Sequence, residues 1–180
     1  AGLDLGLLPG LDKNARDLER PSWEKGRYGT AVGRAVHATL QTVDLATGDG
    51  LDGAARAQAL AEGVVEREEA VVALARAGFS ADVTREAAAC PHQKETYVGT
   101  VVGGQVVEGV IDLLFTDADG QLVVVDYKTD AEPDQATLEA YQKQLAVYAA
   151  ALADATGVKV GRRVLVFCRE GGAAPRKACR

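Results

Sequence analysis

Apolar residues along the chain recur first at a helical spacing. Val32, Val36 and Leu40 stand four apart with Ala31, Ala35 and Ala38 between them, which predicts a helix from about Tyr28 to Leu40. A second helical stretch, rich in Ala, Glu and Arg, is predicted over 54–77, ending before Gly78. Its alanines would permit close packing. The pattern then changes to short runs bounded by turn residues. Residues 83–89 read as a short strand and 95–102 as a longer one. Gly103-Gly104 marks a tight hairpin turn, and 105–116 resumes as strand. Asp117-Ala118-Asp119-Gly120 makes the next turn, before the largely apolar, β-branched run Leu122 to Tyr127. Residues 135–154 return to the helical period. Tyr141, Gln144, Leu145, Tyr148, Ala149 and Leu152 share one stripe, and Gly157 is the stop. A last strand is predicted over 162–168.

Helices, three strands in a meander, a helix and a strand make an α/β arrangement: a central mixed β-sheet flanked by helices on both faces. Residues 1–24 lack this patterning and read as a linker with scattered leucines. The folded unit is expected over 25–170, with 171–180 as a basic tail.

Composition narrows the picture. A length of 180 residues, 47% of them hydrophobic, suits one globular domain with a sizeable core. No uninterrupted apolar run is long enough for a membrane helix, and the N-terminus lacks the basic start and apolar core of a secretory signal. Cys90, Cys168 and Cys179 form no C-x-x-C pair, and so sparse a set points to a reducing, cytoplasmic setting. The formal net charge is −6, which argues against a module gripping nucleic acid by charge alone. It is compatible with acidic residues gathered around a cation. Arg162, Arg163 and Arg169, then Arg176, Lys177 and Arg180, form bunches that read as a solvated surface and a frayed tail.

Two segments, Glu108 to Asp112 and Val123 to Lys128, carry charge where a buried strand should be apolar. With the hairpin centred near Asp119, Asp112 and Asp126 are equidistant from the turn and should face each other within one residue. Directly opposed side chains have Cβ atoms roughly 4.5–5.5 Å apart. Carboxylates so close repel unless a proton or cation lies between them. Lys128 follows Asp126 by two and shares its face. Oxygen ligands in this arrangement suit Mg2+ or Mn2+, and an adjacent ammonium can offset charge on a phosphoryl transition state. A plain surface pair between Asp126 and Lys128 on an edge strand is the competing interpretation. Asp117, Asp119 and Asp130 read as turn and capping residues.

Gly109-Val110-Ile111-Asp112 followed by Val125-Asp126-Tyr127-Lys128-Thr129 resembles the signature of the PD-(D/E)XK nucleases. More narrowly it is similar to the C-terminal nuclease domain of the RecB and AddA helicase–nucleases. Gly29 to His37 resembles that family's upstream helix, Glu95 falls where an additional acidic residue often stands, and Tyr141-x-x-Gln144-Leu145-x-x-Tyr148 is similar to its helical Gln-x-x-x-Tyr motif. The resemblance covers roughly 25–170. It implies a restriction-endonuclease-like fold, with Asp112 and Asp126 as metal ligands and Lys128 as catalytic lysine. It further implies His37 and the main-chain carbonyl of Tyr127 as additional ligands, and Gln144, Tyr148 and Tyr141 as site support or DNA contacts. Glu95 is a further ligand candidate, with Glu86 and Glu108 competing for its role. Some relatives hold an iron–sulfur cluster; Cys168 and Cys179 are too few and wrongly spaced, so no cluster is expected.

The chain has no G-x-x-x-x-G-K-[ST] phosphate loop, so it is not expected to be a motor itself. Opening in a linker without an initiator methionine suggests a domain cut from a longer helicase–nuclease, whose motor would supply the DNA grip. The expected activity is Mg2+- or Mn2+-dependent cleavage of DNA, as an exonuclease on single strands at ends in recombination and repair. A catalytically silent DNA-end-binding or docking module is the alternative, and RNA or a small phosphoester is an alternative substrate.

Overall fold

A computed structural model of the chain describes residues 30–102, 104–171 and 174–177. The linker-like segment 1–24 lies outside the described residues, as do Tyr28, Gly29, Gly103 and Cys179. The first described helix, α1, spans Ala31–Thr42. Thr30 caps it by accepting the N–H of Gly33 at 3.0 Å. Helix α2 (Leu51–Ala61), a 3-10 turn (Val65–Arg67), α3 (Glu68–Ser80) and α4 (Asp82–Ala88) follow. Strands β1 (His92–Val102), β2 (Gln105–Thr116) and β3 (Leu122–Lys128) form the antiparallel meander. Helix α5 (Gln135–Thr156) crosses over to β4 (Val160–Phe167), which pairs with β3 in parallel. The sheet order is β1-β2-β3-β4-β5.

Three sequence expectations are corrected. The stretch 54–77 is two helices. α2 ends because Gly63 takes φ +71, so its N–H reaches Leu60 O at 3.1 Å while Val64 N reaches Ala59 O at 2.8 Å. This is a Schellman stop that a residue with a Cβ would resist. Helix α3 also runs past Gly78 to Ser80. Residues 83–89 are not a strand: 83–88 lie in α4 and Ala89 is its C-cap, with buried Val83, Thr84 and Ala87 on one inward face. The Thr84 hydroxyl lies 2.8 Å from Gly78 O and 2.9 Å from the Tyr127 hydroxyl, tying the helix to α3 and β3. Within the segment read as a tail, Ala174–Lys177 forms β5 against the exposed side of β4.

One core joins α1–α4 to Leu113, Phe115, Val123, Val125, Tyr127, Val164 and Val166 of the sheet. The other joins α5 to Val98, Ile111, Val124, Leu165 and Phe167. The sheet is thus covered on both faces, the mixed α/β architecture expected.

At Gly78, α3 packs tightly against Cys168, just past β4, and Leu40 of α1. A Cβ there would lie 2.9 Å from both Cys168 Sγ and Leu40 Cδ1, each on a buried side chain. Alanine for glycine inside a helix ordinarily gains about 1 kcal/mol, but overpacking a filled core costs about 1–3 kcal/mol. Packing should win. Gly78→Ala is expected to lower the denaturation midpoint, and a raised midpoint in a urea titration would contradict this packing.

Candidate functional site

The β2–β3 ladder pairs Leu113 with Val125, Leu114 with Val124, Phe115 with Val123 and Thr116 with Leu122, each pair symmetric about Asp119. One further step along that register brings Asp112 opposite Asp126. The regular ladder stops there. The Asp112 carboxylate takes the place of a ladder carbonyl, its Oδ2 accepting the N–H of Tyr127 at 2.7 Å. Its Oδ1 lies 3.1 Å from Nδ1 of His37, on α1. The register thus sets Asp112 across from Asp126, and the charge of Asp112 reaches Asp126. Asp112 is held at the end of the ladder and met from the α1 side. Asp126 and Lys128, by alternation from Val124, face α5.

An irregularity in β1 lies beside this ladder end. Lys94 pairs with Leu113 and Thr96 with Ile111, but Glu95 between them has φ +52. It is the one non-glycine residue with positive φ among the described residues. Such a backbone is unfavourable for a side chain with a Cβ and persists only where surroundings hold it. The hairpin changes face at this kink. Leu113 belongs to the α1–α4 core while Ile111, two residues earlier, belongs to the α5 core. Glu95 and Asp112 sit where the change of face occurs.

There the structure gathers His37, Glu95 and Asp112. One ligand atom from each lies within 4.8 Å of the others. Glu86 is elsewhere, paired with Arg162 (Oε2 to Nη1 3.0 Å), and Glu108 accepts from the Tyr97 hydroxyl. Burial alone would lower the pKa of His37. The Asp112 carboxylate and then Asp126 outweigh it and raise the imidazole to about 9. Glu95 is pushed up to about 7, by burial first and then by the negative charge of Asp112. Asp112 is held below its usual range despite its burial, by His37, the Tyr127 N–H and Lys128.

Asp126 is 5% exposed. Burial pushes it up, Lys128 pulls it back, and Asp112 adds to the rise. Lys128 Nζ stands 2.7 Å from Asp126 Oδ2. That oxygen nonetheless receives no well-directed hydrogen bond, so proximity of charge alone satisfies it. Lys128 is itself raised, since Asp126 overcomes the cost of its burial. Its ammonium lies 4.3 Å from the centre of the Tyr141 ring and 3.4 Å from Gln144 Oε1. Gln144 Nε2 in turn donates to the Tyr148 hydroxyl at 3.2 Å, and the Tyr141 hydroxyl donates to Asp130 at 2.9 Å. The phenol of Tyr127 points into the α1–α4 core toward Thr84.

Two residues of the surroundings had no signal in the sequence. Lys94 and Gln41 line the cleft beside His37, Glu95 and Asp112. A lone lysine in a polar strand and a glutamine late in a helix carry no periodicity that would single them out.

The donor set fits a hard divalent cation. Carboxylate oxygens with one imidazole suit Mg2+, Mn2+ and their neighbours.

The profile of the PD-(D/E)XK nuclease superfamily matches residues 13–178. An ATP-dependent helicase/nuclease subunit from Lacticaseibacillus casei (strain BL23) is 33% identical, over 87% of this chain and 15% of that protein. The protein of the same description from Desulforudis audaxviator (strain MP104C) is 34% identical, over 83% of this chain and 14% of its own length. The chain thus spans about 15% of the length of the curated relatives it matches. Among solved structures, SSO0001 aligns with a TM-score of 0.43 at 16% identity, over 82% of this chain and 64% of that one.

Proposed function

The chain belongs to the PD-(D/E)XK nuclease superfamily, and from that premise we propose that it is a Mg2+- or Mn2+-dependent nuclease domain that hydrolyses phosphodiester bonds in DNA. The observation that carries this reading is the approach of His37, Glu95 and Asp112 donor atoms to within 4.8 Å of one another. Asp112, Asp126, His37 and Glu95, with the main-chain carbonyl of Tyr127, would hold the cation. A divalent ion bound there supplies Lewis-acid polarisation of the phosphate and lowers the pKa of water. Lys128 places a positive charge against Asp126, where it can offset charge developing on the phosphoryl oxygens. Gln144 and the Tyr141 ring hold that ammonium in place, and Tyr148 holds Gln144.

The substrate is single-stranded DNA at ends, cut exonucleolytically during recombination and repair in the cytoplasm. The relatives' description as helicase/nuclease subunits supports a motor partner, in the same chain or another. With a net charge of −6, much of the DNA grip falls to that motor. No described helix is long and apolar enough to cross a membrane.

The test is incubation of the chain with labelled single-stranded DNA and Mn2+, beside an EDTA control and an RNA of the same sequence. Cleavage of DNA that disappears in EDTA is expected. Silence together with an Mn2+-dependent rise in the thermal midpoint would keep the metal site and favour a docking module or a need for the motor. A ligand at a hundred times its Kd stabilises by about 2.7 kcal/mol, so that rise is easily read. Silence with no rise would refute the reading.

A further inference from the structure

Lys94 is one residue before Glu95, but its side chain leaves the strand in the direction of α1. Its ammonium donates to the carbonyl of Val43 at 2.5 Å and reaches that of Leu40 at 3.4 Å. These carbonyls close the C-terminal end of α1, where a helix has acceptors without intrahelical partners and its dipole favours a cation. Leu40 is about one turn beyond His37 in the same helix. The clamp therefore joins two elements that each carry a proposed cation ligand: α1 with His37 and β1 with Glu95.

The clamp also bears on the kink. A regular strand would send Lys94 and Thr96 to the same face. Here Lys94 goes to α1, while Thr96 pairs with Ile111 of the α5 core. Glu95, at φ +52, is the residue at which the strand turns over. A strained backbone of this kind needs neighbours that over-determine it. Lys94 fixes one side, by its grip on Val43 and its pairing with Leu113. The Thr96–Ile111 pair fixes the other.

We propose that Lys94 is a positioning residue that sets the separation of His37 and Glu95, and so the affinity of the site for its divalent cation. It acts through Glu95 and does not touch the ion. This inference rests on the metal site proposed above.

The experiment is calorimetric titration of Mn2+ into the parent chain, Lys94→Met, Glu95→Gln and the double variant, with thermal midpoints in EDTA as a check of folding. Methionine keeps the length and apolar stem of lysine and removes the ammonium. Loss of an outer-shell partner typically weakens metal binding about 10- to 100-fold, and Lys94→Met is expected in that range. In the Glu95→Gln background the same substitution should cost little further, because the ligand it positions is already gone. An unchanged affinity in Lys94→Met, or an equal loss in both backgrounds, would overturn the role and leave the metal site standing. Absence of Mn2+ binding by the parent would remove both. Should Lys94→Met fail to fold, Lys94→Gln, with a shorter donor, carries the same comparison.

Discussion

Lys128→Ala is expected to slow DNA cleavage by about 10²- to 10³-fold, the range seen when one pre-set electrostatic contact to a transition state is removed. A second consequence comes with it. The ammonium is 2.7 Å from Asp126 Oδ2, with only 15% of the lysine side chain and 8% of the aspartate exposed. Breaking such a buried pair from one side costs about 3–5 kcal/mol when the remaining charge cannot relax. Asp126 is already pushed up by burial and by Asp112, so it can take up a proton and escape part of that cost. The metal-free variant should therefore melt earlier than the parent, and Mn2+ should recover more of the lost midpoint than it adds to the parent. Single-turnover cleavage and melting curves with and without Mn2+ read both effects. Cleavage at the parental rate would remove Lys128 from the machinery.

Gly109→Ala is expected to be the most damaging conservative change in the sheet. A Cβ at this position would lie 2.1 Å from the Tyr148 hydroxyl oxygen and 2.3 Å from two ring carbons. Tyr148 is 5% exposed and packed in the α5 core, so the ring has little room to yield. Overpacking costs about 1–3 kcal/mol and occasionally more. In a domain of this size each kcal/mol shifts the midpoint by roughly 2–4 °C. Displacing Tyr148 also removes the support of Gln144, and through it of Lys128. Activity should fall along with stability. A Tyr148→Leu background should absorb much of the Gly109→Ala penalty, because the clash is with the ring. Full additivity of the two changes in urea denaturation would show that the penalty arises elsewhere.

The parts of this fold legible in the sequence are those governed by local chemistry. The Asp117-to-Gly120 turn shows in its residues. Asp117 Oδ1 accepts from Asp119 N at 3.1 Å and Gln121 N at 3.0 Å, and Gly120 takes φ +73. That turn sets a register symmetric about Asp119. Helix α5 shows in its apolar stripe, and Gly157 at φ +69 is its stop. The parts that were not legible depend on distant neighbours. Val83 and Thr84 suggest a strand, but Thr84 is claimed by Gly78 and Tyr127, and a helix results. Strand β5 exists because β4 offers it an edge. His37 and Glu95 became candidates only through a family resemblance, since no spacing argument links an alanine-rich helix to a strand end. The hydrogen bond of Asp112 to the Tyr127 N–H could not be read at all. It lies beside the Glu95 kink, which leaves no trace in hydrophobic periodicity.

The proposed ligands come from α1, β1, β2 and β3, and His37 meets Asp112 across 75 residues of chain. Contacts of such sequence separation form late and slow folding, because the intervening chain must first be ordered. No fragment ending before Tyr127 holds the full set, and Lys128 comes later still. A chain still being synthesised would have its helices and first strands in hand while unable to cut. The complete site then arrives with the native state and would be lost with it, so the active fraction in a cell should track the folded fraction.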